Sequence, residues 1–512
     1  MSIEYTAKME NARPQNRLVA YCVLIGLGLA ATLLVVYGTS KYGIGLDADS
    51  VTYIQVARAL VAGRGISDAF TLQPPFYPML LALGGAFIDP LAFGVWLHAF
   101  LFGALLMLTG AVLLRELPNS TGLALLGVLG VLLARPLLGV ASVAYSELAF
   151  IFLEMVTLFG LARFLQTERA RWLALAICAS AGAAMTRYIG VALIVTGGCA
   201  LLFLWQTAWR KKILYAFVFV SVAALPLVVW AARNILISGE AFGARGTSRF
   251  TLQENIVLTA RTFANWFAPN PFAWLVFAAL VVLGAILLFE KTRAYKSPAH
   301  DARFFYVGAL FCVIYLALLI GTATTTAYNR IGSRLLSPLF IPAWMLFVYG
   351  VYQVVVSRGR RIQIAACLVL VLTLLFPLQS ARTHVERSVT DGAGGFNTTR
   401  WRTSETIQYA IAHRAELLPT LYSNFPDALY ILADIPAQSV LPKVEYASND
   451  PAFRAQDLRG AFPAEASTLI WFNLDERDDF LFTLAELNEF TQLDLLQTLR
   501  DGAVYRMDKQ KN

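Results

Sequence analysis

Charge is scarce in this chain, and so are cysteine and histidine. Of 512 residues, 14% are Asp, Glu, Lys or Arg and 58% are hydrophobic, with a mean hydropathy of +0.61. A soluble domain carries about a quarter charged residues, so composition excludes a soluble globular protein and leaves a polytopic membrane protein. The five cysteines (Cys22, Cys178, Cys199, Cys312 and Cys367) all fall inside apolar runs, which argues against a disulfide framework or a thiolate metal centre. His98, His300, His384 and His413 are scattered without ligand spacing, so zinc is not suggested. There is no repeat of solenoid period and no pair of matching halves of the kind found in many secondary transporters. The short basic loops hold no glycine-rich pattern leading into a helix, which disfavours a nucleotide ligand.

What is present is a series of apolar runs: 18–38, 90–114, 120–138, 142–163, 172–186, 188–208, 213–232, 270–289, 304–322, 335–356 and 362–379. A run of about twenty residues crosses roughly 30 Å of hydrocarbon, so the reading is of about eleven transmembrane helices. The first run is read as a retained span, because no small-residue cleavage pattern follows it. The net charge of +8 is spread over alternate loop flanks, among them Lys8, Arg13 and Arg17, then Arg210, Lys211 and Lys212, then Arg358, Arg360 and Arg361. That distribution speaks against nucleic acid as a partner and marks those flanks as cytoplasmic. Residues 1–17 are then a cytoplasmic N-terminus, residues 18–379 a membrane domain with a first outer loop over 39–89, and residues 380–512 an extracytoplasmic domain. This tail is more polar, with Asp475, Glu476, Asp478 and Asp479, strand-like Leu469–Phe472 and Gly502–Arg506, and a helix-like stretch from Asp479 to Phe490. Its alternation predicts a small α/β domain.

The first outer loop holds two carboxylates, Asp47 and Asp49, and then an amphipathic helix with Val51, Ile54, Val56, Ala57, Leu60 and Val61 on one stripe. That pattern predicts a helix lying along the membrane surface. Asp49 opens it and is either a helix cap or a group with work to do. Glu147 falls just inside a span, where ionisable residues are costly and usually functional. The other acids are read as clustering at the outer rim. Asp47 and Asp49 form a weak Asp-x-Asp signal, which leaves a divalent cation open as a cofactor without requiring one.

Several short motifs run in one order along this topology. Asp49 and Tyr53 are followed by Ala57-Arg58-Ala59-Leu60, then Gly63 and Gly65, then Gln73-Pro74-Pro75-Phe76-Tyr77-Pro78. Tyr145-Ser146-Glu147, Thr186-Arg187-Tyr188-Ile189-Gly190, Ala232-Arg233-Asn234 and Arg334-Leu335-Leu336-Ser337-Pro338 come after. Over residues 18–380 this order resembles the GT-C glycosyltransferases, in particular the dolichyl-phosphate-mannose protein mannosyltransferase-like family and the lipid A aminoarabinose transferases.

The resemblance implies an enzyme that moves a sugar from a polyprenyl-phosphate carrier to an acceptor hydroxyl on a lipid, glycan or protein at the outer face of a membrane. It implies Asp49 as general base, Asp47 as its neighbour and Glu147 as an acid orienting the acceptor or the base. The positions expected to meet substrate or phosphate are Tyr53, Arg58, Gln73, Arg187, Tyr188, Arg233, Arg330 and Arg334, with no metal ligands among them. One departure is plain: where the aminoarabinose transferases carry Lys before Pro-Pro, this chain has Gln73, so the phosphate must be gripped elsewhere. The competing reading is a transporter or flippase of a lipid-linked sugar.

Overall fold

The computed structural model describes residues 14–269, 302–474 and 480–510. The predicted 270–289 span, His300 and the acidic run 475–479 lie outside them. Within the described residues the membrane part is a helical bundle: α1 (Pro14–Gly38), α2 (Ala48–Val61), α3 (Phe76–Gly85), α4 (Pro90–Glu116), α5 (Thr121–Leu132), α6 (Arg135–Ser142), α7 (Glu147–Thr167), α8 (Ala170–Thr186), α9 (Val191–Cys199) and α10 (Trp209–Ser238). It continues through α11 (Leu252–Phe267), α12 (Arg303–Thr325), the one-turn α13 (Ser333–Leu336), α14 (Phe340–Ser357) and α15 (Arg360–Thr390).

Seven of the described helices are long and apolar enough to cross a membrane, and α5 with α6 adds an eighth if that pair, bent by 50°, is one span. The chain is therefore an integral, multi-pass membrane protein. The bend has a local cause: Ala134 is extended, and Arg135-Pro136 restarts the helix with proline in its first turn, where its missing N–H costs nothing. Residues 172–186 and 188–208, each predicted as a span, form shorter apolar helices over Ala170–Thr186 and Tyr188–Leu204, turned by a 3-10 step at Tyr188–Gly190.

The loop that carries Asp47 and Asp49 is clamped from both sides. Gly45 donates to the Ser142 carbonyl (2.8 Å) and accepts from Ala144 (2.9 Å). On the other side Leu46 donates to the Gly394 carbonyl (3.1 Å), and Phe396 donates to the Leu46 carbonyl (2.8 Å). Asn397 adds an amide bond to the Ile44 carbonyl at 2.6 Å. Gly395 makes this approach possible: its φ of +57° is left-handed, and a Cβ there would run into the Leu46 carbonyl and the Asp47 amide. Left-handed strain and forced overpacking each cost about 1–3 kcal/mol. Gly395→Ala is thus expected to lower the melting temperature of the detergent-solubilised protein by several degrees, read by thermal denaturation.

α2 begins where Asp47 caps it, its Oδ1 accepting from the Ser50 amide and hydroxyl, both at 3.0 Å. It ends where Gly63 turns left-handed, φ +71°. Most of the apolar stripe that predicted a helix on the membrane surface is instead buried in protein: Val51, Ile54, Val56 and Ala57 belong to the main core with Tyr53, Leu60 is partly buried against it, and Val61 at the end is exposed. α3 follows the Pro74-Pro75 stop, and Tyr77 on it reaches into the bundle to meet His98 Nε2 at 2.7 Å. His98 also contacts the Ala141 carbonyl, at 3.2 Å, which ties α3, α4 and α6 together.

After α15 the chain enters a small sheet domain through α16 (Glu405–Ala412) and α17 (Pro426–Ala433). The five strands, β1 (Leu421–Ser423), β2 (Gln438–Ser439), β3 (Ser467–Phe472), β4 (Thr491–Leu499) and β5 (Gly502–Lys509), lie in the order β2-β1-β3-β5-β4. β1 is parallel to β2 and β3, and β5 runs antiparallel to β3 and β4. β3 is buried along its whole length because both of its faces are covered. Phe472 packs against Trp401, while Leu469 and Trp471 join Phe482, Leu487 and Phe490 in a second core. Where a helix-like stretch was expected from Asp479 to Phe490, the described part holds only the short helix Leu484–Leu487, started by a Thr483/Glu486 capping box.

Candidate functional site

Arg334 lies at the centre of the acid cluster. It sits in the first turn of α13, just after Gly332, with its guanidinium 3.9 Å over the Tyr145 ring. Nε meets Glu147 Oε1 at 2.6 Å, Nη2 meets Asp49 Oδ2 at 2.5 Å, and Nη1 meets Asp47 Oδ2 at 3.3 Å. Arg187, at the end of α8, meets the same Glu147 oxygen at 2.5 Å and the Ser146 hydroxyl at 3.2 Å. Ser146 in turn pairs with the buried Tyr53 hydroxyl at 3.2 Å. The Gln73 amide donates to Asp49 Oδ1 at 2.8 Å.

Three carboxylates therefore face two guanidinium groups, leaving one negative charge in excess. Glu147 is fully buried, while Asp47 and Asp49 keep about a third of their side-chain surface. Burial pushes the Asp47 carboxyl up from its ordinary value; Arg334 pulls it down and the Asp49 charge pushes it up again. The Tyr145 hydroxyl is raised as well, mainly by burial and then by Asp47. Glu147 begins α7, so its charge lies at the positive end of that helix dipole. Its Oε2 and the Arg187 Nε are buried without a partner, so the cluster has unused hydrogen-bonding capacity.

The structure separates the two aspartates. Asp47, not Asp49, is the cap of α2, so the helix-capping explanation of Asp49 is excluded. Asp49 occupies the first turn with one face turned to Gln73 and the other to Arg334. Glu147, Tyr53, Gln73, Arg187 and Arg334 all gather around the aspartates.

The other predicted residues do not join them. Arg58 pairs with Asp89 at 2.9 Å and reaches Tyr430 of α17 at 3.4 Å, which ties α2 to the start of α4 and to the sheet domain. Arg233 donates to the carbonyls of Ser67 (3.0 Å) and Phe70 (3.3 Å). The Tyr188 hydroxyl donates to Thr71 (2.6 Å), and Arg245 donates to Leu72 (3.3 Å). These residues hold four carbonyls of the 67–72 loop, those of Ser67, Phe70, Thr71 and Leu72, and so set the position of Gln73. Arg330 is exposed on the approach to Arg334, with no ion pair among the described residues.

The sequence reading passed over Tyr145 and Ser146 as site residues, although both adjoin Glu147 in its motif. It also placed the acids at the rim, whereas Glu154 lies two turns further along α7, fully buried, with neither oxygen partnered. A carboxylate seven residues after Glu147 in an apolar run was a legible signal. As for metals, no group of three His, Cys, Asp or Glu among the described residues is placed to hold an ion. Asp47 and Asp49 are instead committed to a guanidinium.

No family model matches the sequence, and no curated protein does. Solved structures do. ArnT from Cupriavidus metallidurans in the apo state superposes with a TM-score of 0.57 at 12% identity, over 95% of this chain and 97% of that one. The same protein bound to undecaprenyl phosphate gives 0.54 at 13% identity, over 97% and 98%. The chain has the GT-C fold. The GT-C likeness runs through the bundle and the sheet domain together, since the alignment spans nearly all of both chains. A looser likeness is to the archaeal oligosaccharyltransferase AglB from Archaeoglobus fulgidus, in complex with an inhibitory peptide and a dolichol-phosphate. Its TM-score is 0.46 at 13% identity, over 81% of this chain and 64% of that one.

Proposed function

We propose that this protein is a glycosyltransferase that takes a monosaccharide from a polyprenyl-phosphate carrier and places it on an acceptor hydroxyl at the extracytoplasmic face of the membrane. The observation that carries the reading is the charged cluster itself: a half-buried carboxylate, Asp49, held between an amide and a guanidinium beside the buried pair Glu147 and Arg187. The GT-C fold supports it, as does the undecaprenyl phosphate bound to the structurally similar ArnT.

The chemistry follows from the groups present. An alcohol is a weak nucleophile near neutral pH, so Asp49 accepts its proton as the oxygen attacks the anomeric carbon. The bond from that carbon to the phosphate oxygen breaks, and its electron pair stays on the phosphate, so the leaving group needs no acid. It needs positive charge that strengthens as its own charge develops. Arg334 and Arg187 are the guanidinium groups within the pocket and take that part in place of the missing Lys. With one base, one displacement and no second nucleophile assigned, the anomeric centre inverts. Lipid, glycan and protein all remain acceptor classes of this reading. Arg58 and Arg233 leave the phosphate set, because their partners are loop and helix groups outside the pocket.

Glu154 is the one observation that favours a transporter, since a buried acid deep in a span is usually functional. The test separates the two readings. Membranes containing the protein are supplied with radiolabelled polyprenyl-phosphate sugars, and release of the free carrier phosphate is followed. A transferase consumes the donor; a flippase moves it across the bilayer intact. Arg58→Ala is expected to keep turnover within about fivefold of the wild type, because an exposed ion pair is worth about 1 kcal/mol or less. A larger loss would return Arg58 to the phosphate site.

A further inference from the structure

Both pocket cations are already in use. Nε, Nη1 and Nη2 of Arg334 each meet a different carboxylate, and Nη1 of Arg187 meets Glu147. An arriving phosphate therefore finds an excess of negative charge and no free edge on Arg334, while the unpartnered Nε of Arg187 is buried. Asp49 is equally occupied: Gln73 fills Oδ1 and Arg334 holds Oδ2 at 2.5 Å, so the acceptor hydroxyl must compete with a charged donor for the base. Arg334 can change partners. Its ring contact is with the planar face over Tyr145, which leaves the nitrogen edges to choose among acids. It follows the glycine at 332, in a helix of only four residues.

We propose that the donor's phosphate and the Asp49 carboxylate compete for Arg334, so that seating the donor draws Arg334 away and frees the base. This rests on the glycosyltransferase reading and adds its order of events. Charge-assisted bonds from guanidinium to phosphate are strong and often bidentate, so a phosphate can displace a single carboxylate contact. Glu147 keeps Arg187 throughout and does not lose its counter-charge. The acceptor hydroxyl then meets an unencumbered Asp49 only when a sugar is already in place. Linkage is reciprocal: the factor by which the Asp49–Arg334 contact weakens phosphate binding is the factor by which bound phosphate weakens that contact.

The test is a binding cycle with undecaprenyl phosphate as the probe, measured by calorimetry on the full chain in detergent. Asp49→Asn keeps the side chain's shape and removes the competing charge, so the probe is expected to bind about tenfold more tightly, a coupling of about 1.4 kcal/mol. Arg334→Gln is expected to weaken binding, and adding Asp49→Asn to it is expected to restore little. Asp47→Asn, whose contact is longer, should give a smaller gain than Asp49→Asn.

Unchanged or weaker binding in Asp49→Asn overturns the competition. So does an equal gain with and without Arg334, which would mark general repulsion instead. A merely structural role for the contact predicts loss of binding together with loss of folding, and the Asp47→Asn comparison and a melting curve expose it. Absence of binding in every version, the wild type included, overturns the carrier reading itself and the competition with it.

Discussion

Asp49→Asn should insert and fold as the wild type does and lose sugar transfer by about 10²- to 10⁴-fold, the usual contribution of a positioned general base. The substitution keeps the Gln73 contact within reach, because an amide oxygen can still accept from Gln73 Nε2. It costs the ion pair with Arg334, but both partners of that pair retain water access, with about a quarter to a third of their side-chain surface exposed. The fold is therefore not at stake, and the helix is not either, since Asp47 supplies its cap. Asp47→Asn serves as the internal contrast. Asparagine is as good a cap as aspartate, so its loss should be modest. If Asp47→Asn abolished transfer and Asp49→Asn did not, the two roles would be exchanged. Turnover of radiolabelled donor in membranes of matched protein content decides between them.

How the sequence announced this pocket depends on the distance over which each signal acts. The apolar runs were legible because crossing a bilayer needs a fixed length of chain, and the short motifs were legible as residue types in a fixed order. What joins them was not. Arg334 stands 285 residues from Asp49 and 187 from Glu147, and no local pattern says that α13 returns to the start of α2. The same limit misplaced Arg58 and Arg233. Arg58 looks like a free cation in the first outer loop and Arg233 like one at a span end, yet Asp89 and Tyr430 claim the first and the carbonyls of Ser67 and Phe70 the second through tertiary packing. The aspartates were ambiguous for a different reason: Asp47 and Asp49 are both polar residues at a helix start, and a shift of two residues in the start of the helix decides which is the cap. The amphipathic stripe of α2 carried the right period but not its partner, since burial against protein and burial against lipid ask for the same residues.

Replacing Glu147 should have the largest effect on stability. Its carboxylate is fully buried and receives Arg187 and Arg334 at 2.5 and 2.6 Å. Glu147→Ala leaves two guanidinium groups beside each other without the anion between them, and Arg187 keeps little water to compensate, with 16% of its side-chain surface exposed. Removing one member of a buried ion pair costs about 3–5 kcal/mol, so this variant is expected to melt far below the wild type or to fail to accumulate in the membrane. Glu147→Gln separates the charge from the shape. It retains an oxygen able to accept from Arg187 and fills the same space, so it should accumulate and melt at an intermediate temperature. Pairing it with Arg187→Gln removes a positive charge along with the negative one, and the double variant is expected to recover part of the loss, with a coupling beyond the sum of the singles. If Glu147→Ala melted like the wild type, the pair would be dispensable to the fold, and the gathering of Arg187 and Arg334 would have to be explained by substrate binding alone.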